Sequence, residues 1–263
     1  GSNVWKGQHM DSDTPHNFRA RLLRGDTLIG SMIALPSPEV AEIMAQVGFD
    51  WLFLDAEHGV FEARDLQATL QAAGAAMPCV VRLPIAAEVP IKKALDIGAA
   101  GVIVPQVNSA EQAAQIVLWA KYAPFGARGV GIGRAHRYGL GLREYISTAN
   151  ERTAVIVQAE HGDAIENIEA IVRVEGVDAV LIGPYDLSAS LGRMGQVDHP
   201  DVVGAIERVR QACHAAGKPI GIFGVSAEAV TPYIAKGFTL IVAGVDAILL
   251  GQAARALLGQ LKS

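Results

Sequence analysis

Two acidic residues close apolar runs short enough to be buried strands: Glu160 ends TAVIVQAE, and Asp186 follows VDAVLIGPY. If the runs are parallel strands of one sheet, both carboxylates emerge at its C-terminal edge. There they form a pair of hard oxygen donors with no cysteine nearby. Such a pair suits Mg²⁺, Mn²⁺ or Co²⁺ in a six-coordinate shell with positions left for water and substrate. The plainer alternative is that Glu160 caps the next helix and Asp186 the turn before Leu187. His58, in DAEH, is the best general base, because histidine ordinarily titrates near the working pH; His136 and His161 are rivals on nearby loops. Arg82 lies inside the apolar run CVVRLP, so its charge needs an anion, either a substrate oxygen or a neighbouring acid such as Asp55 or Glu57. Gln106, Gln158 and Asp246 also fall at the C-terminal ends of apolar runs.

Other chemistries lack their residues. None of the seven lysines ends a strand run, so a Schiff base has no nucleophile, and no GxSxG elbow is present. What remains is metal-assisted polarisation of a carbonyl, with an arginine sharing the developing charge and a histidine moving a proton.

These residues must be held by a regular frame. Apolar runs at 28–34, 51–56, 79–84, 101–106, 154–160, 179–184, 219–223 and 240–246 alternate with helical patterns at 37–47, 64–74, 89–97, 109–122, 163–173, 200–216, 226–236 and 247–261, after an opening helix at 14–25. Eight such units predict an α/β fold, a closed (β/α)₈ TIM barrel, with a doubly wound open sheet as the alternative. Residues 11–263 are expected to form this one domain, and residues 1–10 read as the remnant of an expression tag. Two long loops interrupt the rhythm, at 125–142 and 185–200. The first is glycine-rich and basic but lacks nucleotide-loop spacing, and it reads as a pocket wall.

Composition narrows the partners. The chain has 263 residues, 51% hydrophobic, with a net charge of −5 and no basic block, which argues against nucleic acid. No apolar run reaches the roughly 20 residues of a membrane span, and the two cysteines fit no disulfide or metal spacing, so a cytoplasmic location is expected.

The pieces GFDWLFLDAEH, VVRLP, IKKALDIGAAGVIVPQV, ARGVG, VQAE, VEGVDAVLIGPYDLSASLG and VAGVD stand in the order found in the HpcH/HpaI family of class II, metal-dependent aldolases, which this chain resembles over nearly its whole length. The resemblance implies reversible cleavage of 4-hydroxy-2-oxo acids into pyruvate, or hydroxypyruvate, and an aldehyde through a metal-stabilised enolate. It implies that Glu160 and Asp186 bind the metal, that Gln158 and the backbone at Tyr185 hold the 2-oxo acid, that Arg82 stabilises the enolate, and that His58 is the base. It assigns to Asp96 the tuning of that histidine, although Asp96 should end a helix on the opposite face and could reach a histidine only across a subunit contact. It further implies a homohexamer whose last helix is exchanged between subunits. The segment AILLGQAARALLGQL would suit a partner's surface or its own barrel equally.

Three departures concern the acceptor: Gly59-Val60-Phe61 after His58, Tyr185 before Asp186, and His161 after Glu160. The first two make the mouth bulkier and less polar. Rival readings are an oxaloacetate decarboxylase, a lyase of CoA thioesters using Arg128, Arg134 and Arg137 for the phosphates, and a barrel that binds a 2-oxo acid without catalysis.

Overall fold

The computed structural model describes residues 17–262. The tag reading and the first part of the expected opening helix lie outside these residues. The strands are β1 (Leu28–Ile33), β2 (Trp51–Asp55), β3 (Cys79–Arg82), β4 (Gly101–Val104), β5 (Ala154–Ala159), β6 (Ala179–Ile182), β7 (Ile220–Gly224) and β8 (Leu240–Val245). Each pairs in parallel with the next, and β8 returns to β1, closing a barrel. The closed (β/α)₈ expectation holds, and the open sheet does not.

The helices are α1 (Phe18–Arg24), α2 (Pro38–Val47), α3 (Ala63–Ala73), α4 (Glu88–Asp96), α5 (Ala110–Ala120), α6 (Leu142–Arg152), α7 (Gly162–Glu166), α8 (Ile168–Ile171), α9 (Pro184–Ser190), α10 (Pro200–Ala215), α11 (Ala227–Ala235) and α12 (Asp246–Lys262). Ser37, Ser109 and Ser226 cap α2, α5 and α11 as the sequence signals indicate. Two helices break the expected pattern. The segment at 142–152 forms α6, a polar helix with a single buried residue, Ala149, and so with no apolar stripe to read. The 185–200 loop begins as the short α9, with Pro184 in its first turn.

The strands carry two alternating sets of side chains. Leu52, Leu54, Val81, Val155 and Val157 face the helices, whereas Trp51, Phe53, Val80, Ile156 and Leu181 fill the barrel. Gly30 leaves room for the Trp51 ring, since a Cβ there would come within 2.6 Å of it. Phe18 of α1 packs on Trp51 with ring centroids 5.5 Å apart, closing the N-terminal end. Continued outward, the inner set becomes polar: Phe53 leads to Asp55, Val80 to Arg82, Ile156 to Gln158 and then Glu160, and Leu181 to Gly183. The strand period alone therefore turns these groups into the C-terminal mouth.

Helix α12 touches β1 and β8 only at its base. From Ala247 to Lys262 its residues are exposed, among them Leu250, Leu257, Leu258 and Leu261. Beyond its base the helix therefore does not cover its own barrel.

Candidate active site

Asp55 organises the mouth. Its carboxylate accepts from Arg82 Nε at 2.9 Å and Arg82 Nη2 at 2.8 Å, and from the backbone N–H groups of Glu57 and His58 at 3.1 and 3.3 Å. One buried acid thus fixes both the arginine and the turn that presents the histidine. Glu57 approaches Arg82 Nε at 3.2 Å, and the guanidinium lies 5.2 Å from the centre of the Phe53 ring. Burial opposes the charge on Arg82, but its hydrogen bond to Asp55 and the charges of Asp55, Glu57 and Glu160 outweigh that and raise its pKa. The structural pairing open to Arg82 is therefore made, and it leaves a nitrogen over. Among the described residues Nη1 has no protein partner, while the side chain still lines the mouth.

His58 stands at the rim, well exposed, with Nε2 3.9 Å from Glu57 Oε2. The rival histidines lie elsewhere. His136 is buried in the 3₁₀ turn Arg134–Gly139 at the other end of the barrel, and His161 caps α7 by accepting from the Asp163 N–H at 3.2 Å. Glu160 is therefore not the cap of the following helix.

Glu160 is 2% exposed. Its Oε1 accepts the Gln106 N–H at 2.9 Å, and its Oε2 accepts from Gln158 Nε2. Gln106 makes its bond from a left-handed backbone, φ 54°. Burial pushes the Glu160 carboxyl up to about 7; the Gln106 N–H opposes this, Glu57 and Asp186 add to it by repulsion, and Arg82 opposes it. Burial likewise raises Glu57. Asp186, in the first turn of α9, has no side-chain hydrogen bond among the described residues, so it does not cap the turn before Leu187. Gly183 lies between the two acids. A Cβ there would fall 2.8 Å from Gln158 Nε2 and 2.9 Å from Glu160 Oε2, so glycine keeps a cradle open beside the carboxylate.

Four carboxylates, Asp55, Glu57, Glu160 and Asp186, thus surround one arginine, which Asp55 and Glu57 already engage. Gln158 Oε1 is also buried without a partner. This surplus of hard oxygen fits a divalent cation bound by Glu160 and Asp186, with further positions left to other ligands. Among the described residues no group of three or more His, Cys, Asp or Glu is placed to hold a metal ion. The adjoining cavity is about 320 Å³. His58, Arg82, Gln158 and Asp186 form its polar side, and Met32, Phe53, Leu181, Phe223 and Val245 its apolar side, with the half-exposed Tyr185 at the edge.

Several sequence expectations place residues elsewhere. Asp96 ends α4 at the opposite end of the barrel, bonded to Arg128 at 2.6 Å, and within its own chain it meets no histidine at the mouth. Asp246 accepts from the N–H groups of Ala34 and Leu35, each at 3.0 Å, and so ties the β1–α2 loop to β8 rather than lining the cavity. The basic 125–142 loop follows α5, and helices in this fold run back toward the N-terminal ends of the strands. It consequently walls a cavity at that end of the barrel and not the mouth. Arg128 is buried against Asp96, and Arg134 and Arg137 line a different cavity, so the cluster proposed for CoA phosphates is absent from the site. Asp55 and Glu57 entered the sequence reading only as partners for Arg82; the backbone bonds of Asp55 leave no mark in composition or period.

Residues 29–253 match the family described as HpcH/HpaI aldolase/citrate lyase. The chain is 41% identical over 244 residues to a 4-hydroxy-2-oxovalerate aldolase of Rhodococcus jostii, covering 92% of this chain and 94% of that one. It is 41% identical over 257 residues to a 2-keto-3-deoxy-L-rhamnonate aldolase of Klebsiella pneumoniae, covering 97% and 96%. Among solved structures, a family protein from Burkholderia cenocepacia superposes with a TM-score of 0.90 at 36% identity, covering 94% of this chain and 100% of that one.

Proposed function

Given that the chain belongs to the HpcH/HpaI aldolase/citrate lyase family, we propose that it is a divalent-metal-dependent aldolase, a carbon–carbon lyase that reversibly cleaves 4-hydroxy-2-oxo acids to pyruvate, or hydroxypyruvate, and an aldehyde. The observation that carries this reading is the convergence of Asp186, Arg82, Gln158 and His58 on one small cavity, with the buried Glu160 against Gly183 and Gln158 of its wall. A cation held by the two acids, Mg²⁺, Mn²⁺ or Co²⁺, would supply Lewis acidity toward the carboxylate and ketone oxygens of the 2-oxo acid.

The chain's own residues do the rest. Gln158 and the backbone at Tyr185 hold the 2-oxo acid. His58 accepts the proton of the C4 hydroxyl as the C3–C4 bond breaks; its electrons pass to the C2 oxygen, and the aldehyde leaves. Arg82 Nη1 donates to that oxygen as its negative charge grows. His58 then returns its proton to C3, giving the methyl group of pyruvate. Asp55 and Glu57 are positioning residues that hold Arg82 and the His58 turn.

The acceptor half of the cavity is lined by Met32, Phe53, Leu181, Phe223 and Val245, and Arg82 is its one cation among the described residues. A second carboxylate on the aldehyde would lack a counter-charge, so short uncharged aldehydes fit best. The exposed apolar residues of α12 support its exchange between copies in a homo-oligomer, a hexamer by resemblance, in which Asp96 would meet a partner's histidine. The two cysteines, both buried and free, accord with a cytoplasmic location. Among the described residues no helix is long and apolar enough to cross a membrane.

Exchange of the pyruvate methyl protons in deuterated water tests the donor half without an acceptor. It should occur with Mg²⁺, Mn²⁺ or Co²⁺, stop in EDTA, and fall at least 100-fold in Arg82→Ala. Wild-type exchange in that variant would overturn the role of Arg82, and no exchange with any metal would overturn the proposed function.

A further inference from the structure

A second cavity, about 680 Å³, lies away from the mouth. It opens at the N-terminal end of the barrel, between the start of β3 at Cys79, the turn at Gly98 and Ala100, and the segment from Arg134 into α6. Its size is that of a small-molecule site. Leu70, Met77 and Pro78 make one wall apolar, whereas the opposite wall carries Arg134 and Arg137, the latter paired with Glu144.

Two groups on this wall are held in place with hydrogen-bonding capacity left over. Arg134 Nη1 donates to the Ile97 carbonyl at 3.0 Å, and the side chain has no carboxylate partner among the described residues. The backbone makes room for it, because a Cβ at Gly98 would lie 2.7 Å from Arg134 Nη1. His136, 1% exposed, uses Nδ1 to accept the Gly133 N–H at 3.1 Å. In the neutral ring the proton is then on Nε2, and that buried nitrogen meets no acceptor. The His136 ring packs edge-on to Tyr145, 5.2 Å between centres, and Tyr145 in turn faces the Arg128 guanidinium, whose Nε is also buried without a partner. A buried donor with no acceptor is destabilising, and one that lines a cavity beside an arginine with nitrogens to spare points to an occupant that brings oxygens.

We propose that this cavity is a second binding site, separate from the mouth, for a small organic anion whose carboxylate or phosphate oxygens are received by Arg134 and His136. The apolar wall takes its carbon skeleton. A purely apolar occupant would leave the donors unmet, and a cation would face the Arg134 guanidinium. The guanidinium fork matches either oxyanion, so the two chemistries are separated by experiment.

The full chain, with Mg²⁺ and pyruvate saturating the mouth, is titrated calorimetrically with succinate and, separately, with inorganic phosphate at constant ionic strength. At least one should bind once per chain with a millimolar or tighter Kd, and the stronger of the two identifies the preferred oxyanion. Arg134→Gln should weaken it about tenfold or more, His136→Gln should also weaken it, and Arg208→Gln, which alters a surface pair with Glu169, should not change it. Absence of binding by both anions to the wild-type chain overturns the proposal, as does wild-type affinity in a folded Arg134→Gln protein. Both readouts are independent of aldolase turnover.

Discussion

The buried Glu160 should make the metal-free protein's stability fall as pH rises. Its carboxyl titrates near 7 in the folded chain, against an ordinary 4.5. Below 4.5 both folded and unfolded chains carry the proton, and the full stability is present. Between the two values the folded chain holds a proton that the unfolded chain releases, so stability declines with pH until, above 7, the charge is buried and the loss is complete. The interval of 2.5 units, at about 1.36 kcal/mol each, gives roughly 3 kcal/mol. For a chain of this size that is about 6–12 °C in melting temperature.

The assay is thermal unfolding from pH 5 to pH 8 in EDTA for the wild type and Glu160→Gln. The glutamine can still accept the Gln106 N–H but cannot ionise, so its curve lacks this contribution. Glu57 and every other titrating group remain in both proteins, and the difference between the curves isolates position 160. The wild type should lose about 2.5 kcal/mol more than the variant between pH 5 and pH 8, since part of the loss precedes pH 5, and Mg²⁺ or Mn²⁺ at pH 8 should restore it to the wild type alone. Parallel pH curves would refute the reasoning, since they would mean that the Glu160 carboxylate is solvated or already neutralised within the chain.

Gly183→Ala should weaken metal binding at least tenfold, read by titration of the EDTA-treated protein with Mn²⁺, because its Cβ would come within 2.9 Å of Glu160 Oε2. Asp55→Ala should cost about 3–5 kcal/mol in urea unfolding by leaving the buried Arg82 charge without its main partner, and pyruvate proton exchange should be lost with it. Tyr185→Ala should raise kcat/KM for branched or longer aldehydes relative to acetaldehyde while leaving pyruvate exchange within about threefold of wild type; an equal effect on both would place Tyr185 on the donor side. Ending the chain at Asp246 should convert the proposed oligomer to smaller species by light scattering, because the removed helix buries almost nothing on its own barrel; an unchanged mass would overturn the exchange of α12.

The mouth was legible in the sequence because parallel strands impose a strict period. Once Phe53, Ile156 and Leu181 face inward, Asp55, Gln158 and Gly183 must follow, and Arg82 comes inward by the same rule from Val80. Three things escaped that rule. Helix α6 shows no apolar stripe because it buries only Ala149. The 125–142 loop reads as a pocket wall and does wall a cavity, yet which end of the barrel that cavity occupies is set by the α5 it follows rather than by its composition. Asp246 has the same strand-end position as Asp55, and only the loop that folds over it, not the residue type, makes it a backbone clamp.

The charge balance of the mouth links its two halves. Four acids against one arginine would repel one another in a closed barrel end, and two of them answer that repulsion differently. Asp55 is neutralised by the bidentate arginine. Glu160 instead has its pKa raised, because burial and its acidic neighbours outweigh the help of Arg82 and the Gln106 N–H. The arginine is therefore committed before substrate arrives, and the charge left over sits on the pair best placed for a cation. Reversing the two arrangements would not work: an arginine bound to Glu160 would occupy the oxygens a cation needs and leave the His58 turn without its anchor. The division of labour thus follows from which acid stands beside Arg82, since Asp55 is its register partner on the adjoining β2, whereas Glu160 follows β5, two strands away from β3.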